Sequence, residues 1–105
     1  MTTNEIEYQN KKGHWNLSVF KGCSGMVISH NSYLNPRFRG KGLGNLEHEK
    51  RLRIAKELDY SCMVCTVRNN NEVQRHILMK HGWIKVWEFL NTKTGNLVDV
   101  WVKNI

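Results

Sequence analysis

No stretch of about 18 apolar residues occurs in the chain, which excludes a membrane-spanning helix. The opening residues MTTNEIEYQNKKGHW lack an apolar segment, so no secretory signal is expected there. Proline is almost missing: Pro36 is the only one, and few breaks in regular structure are enforced. Cysteines number three (Cys23, Cys62, Cys65), an odd count that speaks against a disulfide framework and for reduced thiols in a cytoplasmic protein. Repeats and low-complexity segments are absent. At 105 residues the chain has no room for a second core, and 40% apolar content is enough for one.

Acidic residues are also scarce. Nine stand against 16 lysines and arginines, a formal charge of +7. The surplus is concentrated between Arg37 and Lys56, where Arg37, Arg39, Lys41, Lys50, Arg51, Arg53 and Lys56 face only Glu47 and Glu49. Such a region expects an anionic partner, unless it is merely a solvated helix face.

Periodicity supplies the elements. Residues 1–13 form a polar N-terminal segment, and 14–105 read as one domain. HWNLSVF (14–20) alternates as a half-buried strand, and a turn at 21–25 leads into a second strand over 26–34. That strand sets Met26, Ile28, His30, Ser32 and Leu34 on one face. A glycine-rich loop then opens a helix at about 43–58, with Leu43, Leu46, Ile54 and Leu58 on its inward stripe. YSCMVCTV (60–67) reads as a strand buried on both faces. A second helix over 71–81 directs Val73, Ile77 and Leu78 inward and ends at Gly82. Two more strands, 83–90 and 97–103, flank a turn with Gly95. The order β-β-α-β-α-β-β predicts an α/β fold of mixed sheet around a central parallel βαβ unit.

The loop Arg39-Gly40-Lys41-Gly42-Leu43-Gly44 lies between a strand and a helix start. Three glycines leave the backbone N–H groups bare, so they can converge on an anion with the positive end of the helix dipole behind them. Arg39 and Lys41 add charge, with Arg37 nearby. A diphosphate suits this arrangement. A turn whose glycines serve sterics alone is the competing explanation. The spacing G-x-G-x-G matches neither the dinucleotide fingerprint nor a Walker A loop.

Arg39-x-x-Gly42-x-Gly44 resembles motif A of the GNAT family, the acetyl-CoA-dependent N-acetyltransferases, whose pattern is R-x-x-G-x-G/A. Asn71-x-x-Gln74-x-x-Ile77-Leu78-x-Lys80-x-Gly82-Trp83 is similar to that family's N-x-x-A-x-x-L-Y-x-K-x-G-F. The resemblance implies a GNAT-like fold and an acetyl-CoA slot between the splayed strands near 26–34 and 60–67. It places the CoA diphosphate on Gly40, Lys41, Gly42, Leu43, Gly44 and Asn45, with Arg39 beside them. It places the pantetheine arm along Tyr33 and Leu34, next to Asn71. It also implies direct attack by an amine acceptor, small molecule or protein, on the thioester. That amine must be neutral, so a base is wanted. The family's frequent acid, a tyrosine, is Leu78 here, and the strand over 25–34 has no carboxylate. His30, Ser32 and Tyr33, in that order, are the candidates for catalysis, with a structural histidine as the alternative for His30.

Other classes compete. Cys62-x2-Cys65-x10-His76-x4-His81 approaches a zinc-finger spacing. Residues three apart on a strand point to opposite faces, however, so a metal site is not expected. A basic nucleic-acid binder would use Arg37, Arg39, Lys41, Arg51 and Arg53 on phosphates and Tyr33, Phe38 and Trp83 under bases; the CoA site accounts for the same charge. A catalytically silent GNAT-like module binding acyl-CoA or a protein is the third alternative. The aromatics Trp83, Trp87, Phe89 and Trp101 leave a sheet-edge homodimer open.

Overall fold

Alternating burial defines the strands and glycines set their turns. The computed structural model describes residues 5–105. In chain order the elements are β1 (Glu5–Asn10), β2 (Gly13–Phe20), β3 (Cys23–Leu34), a 3-10 turn (Pro36–Phe38), α1 (Leu43–Glu57), β4 (Cys62–Arg68), α2 (Glu72–Lys80), β5 (Ile84–Asn91) and β6 (Asn96–Asn104). All six strands share one sheet in the order β1-β2-β3-β4-β6-β5. Only β3 and β4 run parallel; every other pair is antiparallel. The mixed α/β architecture expected from the sequence is present, with one strand more than expected.

That strand corrects the expectation for residues 1–13. Glu5–Asn10 pairs with β2 at the sheet edge, Ile6 opposite Leu17 and Tyr8 opposite Trp15. Ile6 and Tyr8 pack against the core while Glu5, Glu7 and Gln9 stay exposed. Two apolar residues among polar ones suffice because an edge strand buries one face only. The rest of that segment, residues 1–4, lies outside the described residues.

Both helices lie on one face of the sheet. Ala55 of α1 and Leu78 of α2 join a single cluster with Trp15, Leu17, Val27, Met63, Cys65, Val67, Trp83 and Trp101. The stripe expected on α1 is rotated: Leu46 is 58% and Leu58 49% exposed, whereas His48, Arg51 and Ala55 are buried. Ile54 reaches only the core edge. Gly44, where an added Cβ would come within 3.3 Å of Ile77 Cδ1, starts the buried stripe that continues through His48, Arg51 and Ala55. Val73 of α2 is exposed as well. β4 is not buried on both faces, since Met63, Cys65 and Val67 face the helices while Thr66 is exposed.

The face away from the helices carries half-buried Ile28, Val64, Val100 and Val102 beside exposed Trp87 and Phe89. At the far end of the sheet Asp99 is fully buried and pairs with Arg75 of α2 at 2.9 Å and with Lys85 of β5 at 3.2 Å. Burial alone would raise its carboxyl, but the Asn69 amide, Lys85 and Arg75 hold it below the usual value. This pairing fastens α2 to the sheet.

Gly13, at the start of β2, has no space for a side chain, because a Cβ there would run into the Tyr33 carbonyl oxygen. Gly13→Ala should lower stability by about 2 kcal/mol in urea unfolding. Gly25→Ala, whose Cβ would meet only the Ser61 hydroxyl at 4.0 Å, should stay within about 0.5 kcal/mol of the parent.

Candidate active site

β3 and β4 pair through Met26–Cys62, Val27–Met63 and Ile28–Val64 and then separate. β3 continues for six residues, Ser29–Leu34, without a β4 partner. A strand bonded on one side only leaves half of its N–H and C=O groups free on the other. A bulge assists the separation. The β2–β3 register shifts between His14 and Asn16, and Asn31 sits in the left-handed region at φ 56. His14 Nδ1 lies 2.8 Å from the Asn31 carbonyl and donates to it, which holds the bulge.

Two cavities open along this gap. The larger, about 1100 Å³, is lined by the β3 end (Ser32, Tyr33, Leu34), by the loop (Arg39, Gly40, Gly42, Gly44, Asn45) and by Asn71 of the α2 start. The smaller, about 560 Å³, runs from His30 and Ser32 inward to His48, Arg51, Leu78 and Trp83. Most of the expected cofactor residues therefore meet in one place. Lys41 and Leu43 are not among the lining residues.

At the loop, Gly42 is the N-cap of α1 with φ 78, provides no side-chain cap, and is followed by a first turn without acidic residues. The first N–H groups of the helix are left free by geometry, and here no side chain of the helix competes for them. Arg39 is held in place: its Nε donates to the Leu34 carbonyl at 2.8 Å and its guanidinium lies over the Tyr33 ring. Tyr33 is held between Arg39 and His14, whose ring stacks on it with centroids 5.4 Å apart. Asn71 caps α2 by accepting from the Gln74 N–H at 3.2 Å. Asn45 accepts from His81 Nε2 at 3.0 Å.

The candidate base gains a partner that the sequence hid. His30 Nε2 lies 2.6 Å from Ser18 Oγ and 3.1 Å from Glu5 Oε1. Ser18 Oγ and Asn16 Nδ2 also donate to Glu5 Oε1, at 3.1 and 3.0 Å. Those two donors, with His30, hold the Glu5 carboxyl below its ordinary value. A carboxylate at Nε2 favours the tautomer protonated there and leaves Nδ1 as the lone-pair nitrogen. Glu5 comes from β1, so strand pairing brings it to a β3 that has no carboxylate of its own.

The floor of the smaller cavity is polar. Arg51, 5% exposed, donates from Nη1 to Ser29 Oγ at 3.1 Å, while its Nε has no partner. His48, 2% exposed, accepts from Trp83 Nε1 at 2.8 Å. Burial first, then the positive charges of Arg51, His81 and Lys103, push its pKa down to about 3. Burial likewise lowers Arg51, which stays protonated. Burial drives the Cys65 thiol up to about 12 against the pull of Arg51, so it is not a nucleophile. An ion held out of water costs several kcal/mol, and Glu47, one helical turn before Arg51, accepts instead from Trp15 Nε1 at 3.1 Å. Sequence reading missed Glu5, Glu47 and His48 as site residues and took Arg51 only as a contact to phosphates on the surface. The signal was available for His48 and Arg51, which with Gly44 and Ala55 follow helical spacing.

Solved structures share this architecture. The ribosomal-protein-S18-alanine N-acetyltransferase from Escherichia coli matches with a TM-score of 0.81 at 13% identity, over 100% of this chain and 72% of its own. An acetyltransferase of the GNAT family from Streptococcus pneumoniae matches at 0.81 and 19% identity, over 97% and 67%. An acetyltransferase from Salmonella typhimurium, solved with its cofactor acetyl-CoA, matches at 0.79 and 18% identity, over 89% of this chain and 57% of that one. The chain thus spans between 57% and 72% of the length of these neighbours. No family model matches the sequence, and no curated protein matches it. The chain has the GNAT fold. Among the described residues no helix is long and apolar enough to cross a membrane.

Because His48 is neutral in the fold and its pKa lies below the ordinary 6.5, its contribution to stability is complete above that pH and is lost as pH falls toward 3. Stability measured by denaturant unfolding should drop by about 3 kcal/mol between pH 7 and pH 4 from this group. The slope over that interval should flatten in His48→Gln.

Proposed function

We propose that the protein is an N-acetyltransferase that uses acetyl-CoA and acetylates an amine. The observation that carries this reading is the parting of β3 and β4 beside an uncapped, glycine-bordered helix start, both opening into one cavity. The GNAT fold supports it.

The residues present suit the cofactor. Gly40 and Gly42 have positive φ and nothing within 4 Å of an added Cβ, so the loop backbone is open to a ligand. The N–H groups of Gly40 to Asn45 would hold the diphosphate, with Arg39 and Lys41 supplying charge. The free edge of β3 at Tyr33 would pair with the pantetheine amides, next to Asn71. Acetyl-CoA, when bound, supplies the acetyl group as a reactive thioester.

The remaining chemistry belongs to this chain. An alkyl ammonium with a pKa of about 10 must lose a proton before it can attack. His30 Nδ1, set by Glu5 at Nε2, accepts that proton directly or through water. The carboxylates Glu5 and Glu7, both exposed on β1 near His30, draw a cationic amine toward this end of the sheet. Ser32 lines both cavities, and Tyr33 lines the larger one. With Leu78 in place of the usual tyrosine, the leaving thiolate takes its proton from water.

Thermal melting with CoA checks the cofactor. Binding to the native state alone at 100 times Kd adds about 2.7 kcal/mol, and no shift at millimolar CoA would remove the proposal. Gly42→Glu should abolish the shift, read relative to that variant's own melting temperature, since a side chain at φ 78 brings about 1–2 kcal/mol of strain by itself. Thiol release from acetyl-CoA across an amine panel checks the reaction. His30→Ala should reduce kcat by about 10²-fold or more. Glu5→Gln should reduce it less. Full activity in His30→Ala would transfer the base role elsewhere.

A further inference from the structure

The buried end of the smaller cavity carries hydrogen-bond donors that the chain leaves unmatched. The Arg51 guanidinium lies over the Trp15 ring at 6.0 Å and gives one N–H to Ser29, yet its Nε–H has no acceptor. On the preceding turn of α1, His48 Nε2 accepts from the Trp83 indole, which can only donate. The His48 proton must therefore sit on Nδ1, and this buried donor has no partner either. His48 and Arg51, each with one unmatched buried donor, both line this cavity, and Arg51 is a permanent cation. No carboxylate lies within ion-pair distance of Arg51 among the described residues, where Asp99 is held by Arg75 and Lys85, and Glu47 by Trp15 and Lys50. A buried arginine with a purely structural role is ordinarily matched by an acid.

Ser29, which Arg51 contacts, is the first β3 residue past the last β3–β4 pair. The cavity thus begins at His30, where the acyl carbon would react, and ends on Arg51 and His48. Val67, Leu78 and Trp83 form walls that suit methylene groups between the two ends.

We propose that this cavity receives an acyl chain ending in a carboxylate, so that a dicarboxylic acyl thioester such as succinyl-CoA is preferred as donor over one with a neutral chain. The proposal rests on the CoA reading above. The amine nitrogen attacks the thioester carbon and a C–N bond forms while the C–S bond breaks. The sulfur leaves with the bonding electron pair and is protonated to the thiol, and His30 takes the proton lost by nitrogen. The distal carboxylate does not react; it stays ionised against the Arg51 fork and the His48 N–H.

Isothermal titration of the wild-type chain with CoA, butyryl-CoA and succinyl-CoA tests this. The two acyl groups have the same number of carbons and differ in the terminal carboxylate. Succinyl-CoA is expected to bind at least about tenfold tighter than butyryl-CoA, the effect of one charge-assisted hydrogen bond. Arg51→Met should bring that ratio to about one. Arg51→Lys, which keeps the charge without the fork, should give an intermediate ratio and serves if Arg51→Met does not fold. Equal wild-type affinity for the two acyl-CoAs would overturn this inference while leaving the CoA reading in place. Failure of CoA itself to bind would overturn that reading and this inference with it. A preference undiminished in the Arg51 variants would remove the assignment to Arg51.

Discussion

Three residue pairs hold β3 to β4, and then the strands part. In a sheet a free edge is normally paired, covered or hidden. Here an interior strand keeps a free edge over Ser29–Leu34. The bulge at Asn31, braced by His14 from the neighbouring strand, sustains the divergence. Everything assigned to the site follows from this opening. It separates the two helix starts, exposes main-chain groups to a cavity, and lets α1 present side chains to the vertex.

α1 is unusual in what it presents there. Residues on the core side of a helix are ordinarily apolar, because burying an unmatched polar group costs free energy. His48 and Arg51 occupy that side together with Ala55. Their neighbours satisfy them only in part: Trp83 and Ser29 each complete one hydrogen bond, and one donor on each side chain is left over. These unmatched donors lie at the point where the sheet is open. The Asp99 cluster shows the contrast, since there a buried charge is matched on two sides and simply ties α2 to the sheet.

Much of the architecture was legible in local pattern. The alternation in β2, the turn glycines and the glycine loop before α1 depend on near neighbours, so periodicity and turn chemistry expose them. β1 was not legible, because two apolar residues in a polar stretch look like an edge strand only when β2 is beside them. The rotation of α1 was not legible either. Leu46 and Leu58 suggested a stripe, but in the fold Gly44 lies close to Ile77 and a histidine and an arginine of the same helix side face inward.

The order of elements, the position of the loop between strand and helix, and the local excess of positive charge belong to the sequence alone. Each is set by residues adjacent in the chain. Which carboxylate reaches His30, where β3 leaves β4, and which side of α1 lines the cavity were decided only in three dimensions. These depend on groups from separate elements, such as Glu5 and His30 or Trp83 and His48, whose proximity is a product of strand order and helix rotation.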